Sequence, residues 1–218
     1  MIDEEKSEVY VTPTSSFFAD NGLFGSWPSQ DDIEALISWG VDVIVNLASV
    51  NEKKIKPYDV PPDTNVQVIN FPIQDRSVPD DKLAFSILVV KIYEDMKKGK
   101  KVYIHCKGGH GRSGLLVAAI LAYLNKITPQ EALALTSKYH SNRKVMKSRW
   151  RDLGSPQTPT QKKFVVNLFT DRDTNMFRHH EIYMKFLLMQ TYLGRLCGPD
   201  GHKLTRKREK LMKSSNIH

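Results

Sequence analysis

The fold is decided by the stretch Lys101-Val102-Tyr103-Ile104-His105-Cys106-Lys107-Gly108-Gly109-His110-Gly111-Arg112-Ser113-Gly114. In this stretch a short apolar strand runs into a cysteine, a glycine-rich loop, an arginine and the start of an apolar helix. Five residues separate Cys106 from Arg112, which lets the backbone curl into a cup whose N–H groups point at one oxyanion. The curl is possible because glycine tolerates positive φ and close backbone approach. The loop glycines are Gly108, Gly109 and Gly111. The pattern predicts a phosphate-binding loop at a helix N-terminus, and we call residues 106–112 the cup.

The cup also favours a nucleophilic cysteine. A thiol beside a guanidinium at a helix N-terminus ionises more readily than a free thiol, so we expect Cys106 to be a thiolate. Arg112 keeps its proton and its planar fork matches two phosphoryl oxygens, so we expect it to hold both the substrate and the transferring group. Ser113 can donate its hydroxyl to the sulfur and ease the departure of the thiolate. The alternative for Cys106 is a buried structural cysteine, which the accompanying glycines and arginine disfavour.

The segment from His105 to Ser113 resembles the His-Cys-x5-Arg-Ser/Thr signature of the cysteine-dependent protein tyrosine phosphatases, and among them the dual-specificity branch. The resemblance implies a two-step reaction through a phosphocysteine, with no metal or other cofactor and with an aspartate on a separate loop as general acid. Asp75, 31 positions before the cysteine, lies in a segment similar to that loop and is the predicted acid, and the base of the second step. Asp80 and Asp81 are rival carboxylates that we expect to cap the next helix instead.

The same resemblance assigns further residues. The segment Gln157-Thr158-Pro159-Thr160-Gln161 is similar to a Gln-Thr-x-x-Gln segment of the tyrosine-specific enzymes, which implies that Gln157 positions the hydrolytic water. An ordinary polar loop residue is an equal alternative for Gln157. His105 matches the signature histidine that orients the loop. The predicted substrate-binding set consists of Lys107, Gly108, Gly109, His110, Gly111 and Arg112; for Lys107 and His110 a solvated rim position is the alternative.

The leading function is hydrolysis of phosphotyrosine and of phosphoserine or phosphothreonine in proteins. Lys107 with His110 resembles the doubly basic cup of the lipid-acting branch, where the second position is lysine. A phosphoinositide phosphatase is therefore an alternative, as is an RNA 5′-phosphate phosphatase. An inactive phosphate-binding module is an alternative of another class, disfavoured because Cys106 and Arg112 are both present.

Composition and length limit the number of domains and the cellular compartment. The 218 residues suit one domain with a substantial core, and no apolar run approaches the roughly 18 residues that span a bilayer. The first residues are acidic and lack an apolar signal stretch, so we expect no export. Two cysteines, Cys106 and Cys197, fit a reducing compartment and predict a cytoplasmic location.

The net charge of +8 is concentrated in two basic clusters. The first comprises Lys138, Arg143, Lys144, Lys147, Arg149 and Arg151. The second comprises Lys203, Arg206, Lys207, Arg208, Lys210 and Lys213. For the first cluster we weigh steering of a polyanionic partner towards the cup equally against a solvated loop. For the second we favour a flexible solubilising end over contact with nucleic acid or lipid.

Alternating strands and helices predict an α/β fold with a mostly parallel central sheet flanked by helices on both faces, as in protein tyrosine phosphatases. Strands are expected at residues 9–12, 41–47, 66–71 and 102–105, a loop at 22–28, and helices at 29–39, 80–98, 113–124, 129–139 and 160–169. On the second helix Leu83, Ile87, Val90, Ile92 and Tyr93 are expected to face inward. We predict a catalytic domain over residues 1–170, an additional packed helix over 171–197 and a flexible basic tail over 198–218.

Overall fold

The computed structural model describes residues 10–49, 51–52 and 55–170. Within them a five-stranded sheet has the order β1-β2-β5-β3-β4. The strands are β1 (Ser15–Ala19), β2 (Gly22–Gly25), β3 (Val43–Asn46), β4 (Gln67–Asn70) and β5 (Val102–His105). Only β1 among these strands runs antiparallel to its neighbour. The predicted mostly parallel sheet is confirmed, whereas the predicted helix over 171–197, the tail over 198–218 and Cys197 lie outside the described residues.

Six helices are described: α1 (Gln30–Trp39), α2 (Lys82–Lys97), α3 (Arg112–Asn125), α4 (Pro129–Ser141), α5 (Ser148–Leu153) and α6 (Pro159–Thr170). The predicted caps are present, because Ser29 closes a capping box on α1 and Thr128 closes one with Glu131 on α4. Asp81 caps α2 by accepting a hydrogen bond from the Ala84 amide at 2.9 Å. The short helix α5 was not predicted.

Helices cover both faces of the sheet. Ile33 and Leu36 of α1 pack with Leu23, Ile44 and Tyr103, which lie in one row across three strands. The next residue of each strand points to the opposite face, where α3 contacts β2 and β5. The helix α3 is buried from Arg112 to Ala122, with α2, α4 and α6 around it. The central strand β5 therefore ends inside the protein, at the N-terminus of the most buried described helix.

Two sequence predictions about the first strands are wrong. Residues 11–14 form a bend and turn, not a strand, because Pro13 cannot donate a ladder hydrogen bond and Thr12 instead bonds the Ser15 hydroxyl at 2.8 Å. The segment 22–28, predicted as a loop, contains β2. A Cβ at Gly25 would collide with the Tyr103 hydroxyl, which donates to the Ser26 carbonyl at 2.6 Å. A contact with a strand 80 positions away thus outweighs local turn propensity.

The inward face predicted for α2 is partly wrong. Leu83 is 37% exposed, and Ile87 and Tyr93 are only half-buried. The buried apolar positions are Phe85, Leu88, Val89, Val90, Ile92 and Met96. Leu83 lies in the first turn of α2, and the buried apolar stripe starts at Phe85. Among the described residues, no helix has both the length and the apolar character needed to cross a membrane.

Candidate active site

The cup lies at the carboxyl end of β5, where Cys106 is 2% exposed. Its sulfur accepts a hydrogen bond from the Gly109 amide at 3.2 Å and lies 3.3 Å from the Ser113 hydroxyl. Gly109 has φ +75°, and a Cβ there would collide with the Gly25 backbone and Arg143. The cup can therefore close around the sulfur only with glycine at this position.

Arg112, the first residue of α3, is 1% exposed and held from several sides. Its guanidinium donates to both carboxylate oxygens of Glu52 and to the Ile73 carbonyl at 3.0 Å. It also donates to Asp75 Oδ1 at 3.0 Å. Burial raises the pKa of Glu52, but the hydrogen bond and charge of Arg112 outweigh this and leave the pKa below its ordinary value. The arginine is fixed over the cup by a carboxylate clamp from a distant loop.

One cavity of about 320 Å³ brings most of the predicted site residues together. It is lined by Asp75, Arg76, Cys106, Lys107, Gly108, His110, Gly111, Arg112, Trp150 and Gln157. Ser113 lies behind the sulfur and is fully buried. The side chain of Asp75 is 64% exposed, so it reaches both the arginine and solvent. Asp80 and Asp81 do not line this cavity, in agreement with the capping contact of Asp81.

His110 lines the cavity as an uncharged ring. Its Nδ1 lies 2.8 Å from Nε2 of the fully buried His140, and its ring stacks on Trp150 at 4.8 Å between centroids. Burial, followed by the charges of Arg143 and Arg149, lowers the pKa of His110 to about 4. At neutral pH this position therefore supplies an aromatic wall and no positive charge.

His105 is buried directly before the nucleophile. Its Nε2 lies 2.8 Å from the Tyr58 hydroxyl, and its ring is also packed against Trp27 and Tyr103. Burial, together with the charge of Arg112, lowers the pKa of His105 to about 3 although the Cys106 backbone opposes this shift. Burial also raises the pKa of Tyr58 to about 12, so the phenol stays protonated. A neutral histidine held by a tyrosine thus anchors the start of the cup.

The first basic cluster divides into two groups. Lys138, Lys144, Lys147 and Arg149 are exposed, as expected for a solvated or steering surface. Arg143 is 3% exposed, however, and Arg151 donates to the backbone carbonyls of Ser141 and Arg143. For Arg143 both expectations, steering and solvation, are wrong, because its guanidinium is buried against the Phe24 and Gly109 carbonyls. Arg151 is exposed, as expected, although its guanidinium also contacts the backbone.

The sequence predicted no role in the site for Glu52, Tyr58, Trp150 or Ser155, and it placed Arg143 only in a basic cluster and Gln161 only in the Gln157 segment. Ser155 donates to the His110 carbonyl at 2.6 Å, and the buried Gln161 lies against Gly111 and donates to the Ser77 carbonyl at 2.9 Å. Each acts across a large sequence separation, so no local pattern marks it. The repeated glutamine of the Gln157 segment was the one available signal for Gln161.

The family described as "Swiss Army Knife protein, DSP-PTPase phosphatase domain" matches residues 23–165, well over half of the chain. The chain belongs to this DSP-PTPase family. The match spans every described strand from β2 onward, the cup, the Asp75 loop and the Gln157 segment.

Relatives of this DSP-PTPase domain include two viral proteins. "Putative tyrosine phosphatase 067L" of Invertebrate iridescent virus 3 is 38% identical over 165 residues, covering 73% of this chain and 66% of the relative. "Putative tyrosine phosphatase 197R" of Invertebrate iridescent virus 6 is 33% identical over 186 residues, covering 81% and 64%. The chain spans a little under two thirds of the length of each.

A similar solved structure is Tk-PTP in its active form, with 25% identity and a TM-score of 0.57. The similarity covers 72% of this chain and 96% of that one. The fold is therefore that of the protein tyrosine phosphatases, and the chain is a phosphatase-type domain.

Proposed function

We propose that the chain hydrolyses phosphotyrosine and phosphoserine or phosphothreonine in proteins through a phosphocysteine intermediate. The observation that carries this proposal is the meeting of Cys106, Arg112 and Asp75 in one cavity, although Asp75 comes from a loop 31 positions before the nucleophile. A thiolate, a fixed guanidinium and a carboxyl group are the three functions that a metal-independent phosphoryl transfer requires.

In the first step, the sulfur of Cys106 attacks phosphorus and the bond between phosphorus and the leaving oxygen breaks. The cup amides and Arg112 bind the phosphoryl oxygens and stabilise the charge of the transition state. Asp75 gives its proton to the leaving oxygen, which departs as the free hydroxyl of the substrate.

In the second step, the phosphocysteine is hydrolysed. Asp75, now ionised, removes a proton from a water molecule held by Gln157, and the water oxygen attacks phosphorus. The bond between sulfur and phosphorus breaks, and inorganic phosphate leaves. Ser113, 3.3 Å from the sulfur, donates a hydrogen bond to the departing thiolate.

The walls of the cavity support a protein substrate over a lipid one. His110 is uncharged at neutral pH, so the cup lacks the second positive charge of the doubly basic lipid-acting pattern. The stacked rings of His110 and Trp150 offer instead an aromatic wall beside the cup. Such a wall suits the flat ring of phosphotyrosine and leaves room for shorter phosphorylated side chains.

The proposal is tested by measuring kcat/KM on matched phosphotyrosine, phosphoserine and phosphothreonine peptides, on phosphoinositides and on RNA with a 5′-triphosphate. We expect turnover of the peptides, and Cys106→Ser should bind them without hydrolysis. A large preference for phosphoinositides or RNA would show that the substrate is not a protein. Binding without turnover by the unmodified chain would indicate a phosphate-binding module. Full activity of Cys106→Ser would end the proposal.

A further inference from the structure

Arg143 is a buried charged residue that the mechanism above does not use. It lies two residues after α4, where its guanidinium donates to the Gly109 carbonyl at 2.9 Å and to the Phe24 carbonyl at 3.3 Å. Its charge lies 4.7 Å from the centroid of the Phe24 ring. The side chain thus connects the cup to β2.

The charge of Arg143 is buried without a carboxylate. None of the ion pairs found among residues 10–170 includes it, and its hydrogen-bond acceptors are neutral carbonyls. Burial lowers the pKa of Arg143 to about 10, so the guanidinium is still charged at neutral pH. A buried charge that lacks a counter-ion is costly, so an anion is expected close by.

Burial lowers the pKa of Arg143, and two neighbouring groups that can carry negative charge, Tyr103 and Cys106, act in the opposite direction and raise it. Tyr103 is fully buried, burial raises its pKa far above the ordinary value, and its hydroxyl donates to the Ser26 carbonyl. The phenol is therefore neutral at any physiological pH. Of these two groups, only Cys106, which Gly109 joins to Arg143, can therefore supply a negative charge.

Gly109 connects the two groups physically. Its amide donates to the sulfur of Cys106 at 3.2 Å, while its carbonyl accepts from Arg143 at 2.9 Å. The residue has φ +75°, a conformation that glycine adopts without strain. A guanidinium that grips the carbonyl of Gly109 also holds the amide of the same residue in place against the sulfur.

We propose that Arg143 is a positioning residue for the nucleophile: its buried charge is balanced by the Cys106 thiolate, and through Gly109 it holds an amide against the sulfur. The inference rests on the proposed function in taking Cys106 as the nucleophile. Arg112 differs in role, because Glu52 and Asp75 already balance its charge and it faces the substrate.

Other charged or titratable groups around the sulfur must be held constant in a test. They are Asp75, Lys107 and His110 in the cavity, Glu52 on Arg112, Tyr103 and His105 on β5, and His140 on α4. His105, His110 and His140 are neutral above about pH 5, since burial lowers the pKa of His140 to about 3. Above that pH none of the three histidines changes its charge, so they do not disturb the comparison of variants.

The experiment measures the rate of Cys106 alkylation by iodoacetamide from pH 5 to pH 9, in the full chain and without substrate. Arg143→Met removes the charge and keeps much of the volume. We expect its alkylation at pH 6 to be at least tenfold slower than that of the unmodified chain, with the rates converging near pH 9. Lys138→Met, which removes an exposed charge of the same cluster, is the control and should match the unmodified chain.

Arg143→Lys is the second variant, because lysine keeps a charge but contacts two carbonyls less well. We expect Arg143→Lys to be alkylated severalfold more slowly than the unmodified chain at pH 6, which is a smaller loss than with Arg143→Met. If Arg143→Met does not fold, Arg143→Lys alone provides the test. Folding is checked by thermal melting. Folded Arg143 variants that are alkylated at the unmodified rate at every pH would overturn the proposal. Because alkylation needs no substrate, this result is independent of which phosphorylated compound is hydrolysed.

Discussion

The carboxylate clamp on Arg112 yields a quantitative prediction. Glu52→Gln keeps the shape of the side chain and one carbonyl acceptor but removes the charge. Two charge-assisted hydrogen bonds to a 1% exposed guanidinium are weakened, while the Ile73 carbonyl and Asp75 still contact it. Hydrogen bonds to charged groups contribute about 1.5–3 kcal/mol each, so a net loss of about 2 kcal/mol of stability is expected at pH 7.

The same loss should affect catalysis. If Arg112 stabilises the transition state by about 2 kcal/mol less, kcat/KM falls roughly 30-fold. The assay is turnover of a phosphotyrosine peptide, measured beside urea unfolding of the same preparation. Glu34→Gln, which changes an exposed glutamate on α1, is the matched control and should leave both quantities unchanged.

The pH dependence separates the clamp from a general packing effect. Because Arg112 holds the pKa of Glu52 below its ordinary value, the ion pair stabilises the folded state fully above the unfolded pKa of 4.5. This contribution is lost as the pH falls through the folded pKa. The difference in unfolding free energy between Glu52→Gln and the unmodified chain should therefore shrink between pH 7 and pH 3.5. A constant difference, or none at pH 7, would refute the reasoning.

Three further predictions concern the acid, the buried histidines and the helix behind the cup. Asp75→Asn should lower kcat by about a hundredfold or more and flatten the alkaline limb of the pH–rate profile, whereas Asp80→Asn should not; an unaltered profile would exclude Asp75 as the acid. His105 and His140 have pKa values lowered to about 3, so the unfolded chain takes up protons first, and urea unfolding should show a loss of about 1 kcal/mol per histidine between pH 7 and pH 5.5. Equal stability at the two pH values would contradict this. Gly114→Ala should lower the melting temperature, since its Cβ would collide with the Ser155 hydroxyl and overpacking costs about 1–3 kcal/mol; unchanged melting would show that the segment around Ser155 yields freely.

The sequence correctly predicted those parts of the fold that depend on residues close together in the chain. The cup follows from the glycines between Cys106 and Arg112, and the cap of α4 follows from Thr128 and Glu131 within one turn. The strand β5 is apolar up to His105, and the helix after it is apolar from Gly114 to Ala122, so their order alone predicts where the loop lies.

The parts that sequence missed depend on distant contacts. The strand β2 has glycine at both ends, and it forms because β5 lies beside it and Tyr103 packs over Gly25. Glu52 lies in a polar segment with no regular pattern, 60 positions before the arginine that it clamps. Arg143 lies among six basic residues between positions 138 and 151, and their local sequence does not distinguish a buried residue from an exposed one. Arg143 is buried because α4 packs against the sheet.

The central claim is that the sulfur of Cys106 takes the phosphoryl group from the substrate. The most direct measurement is to mix the unmodified chain and Asp75→Asn with a phosphotyrosine peptide, quench with acid within milliseconds, and locate the added phosphate by mass spectrometry. We expect one phosphate on Cys106 and none on Cys106→Ser. Phosphate on another residue, or rapid turnover without any phosphorylated enzyme in either form, would contradict it.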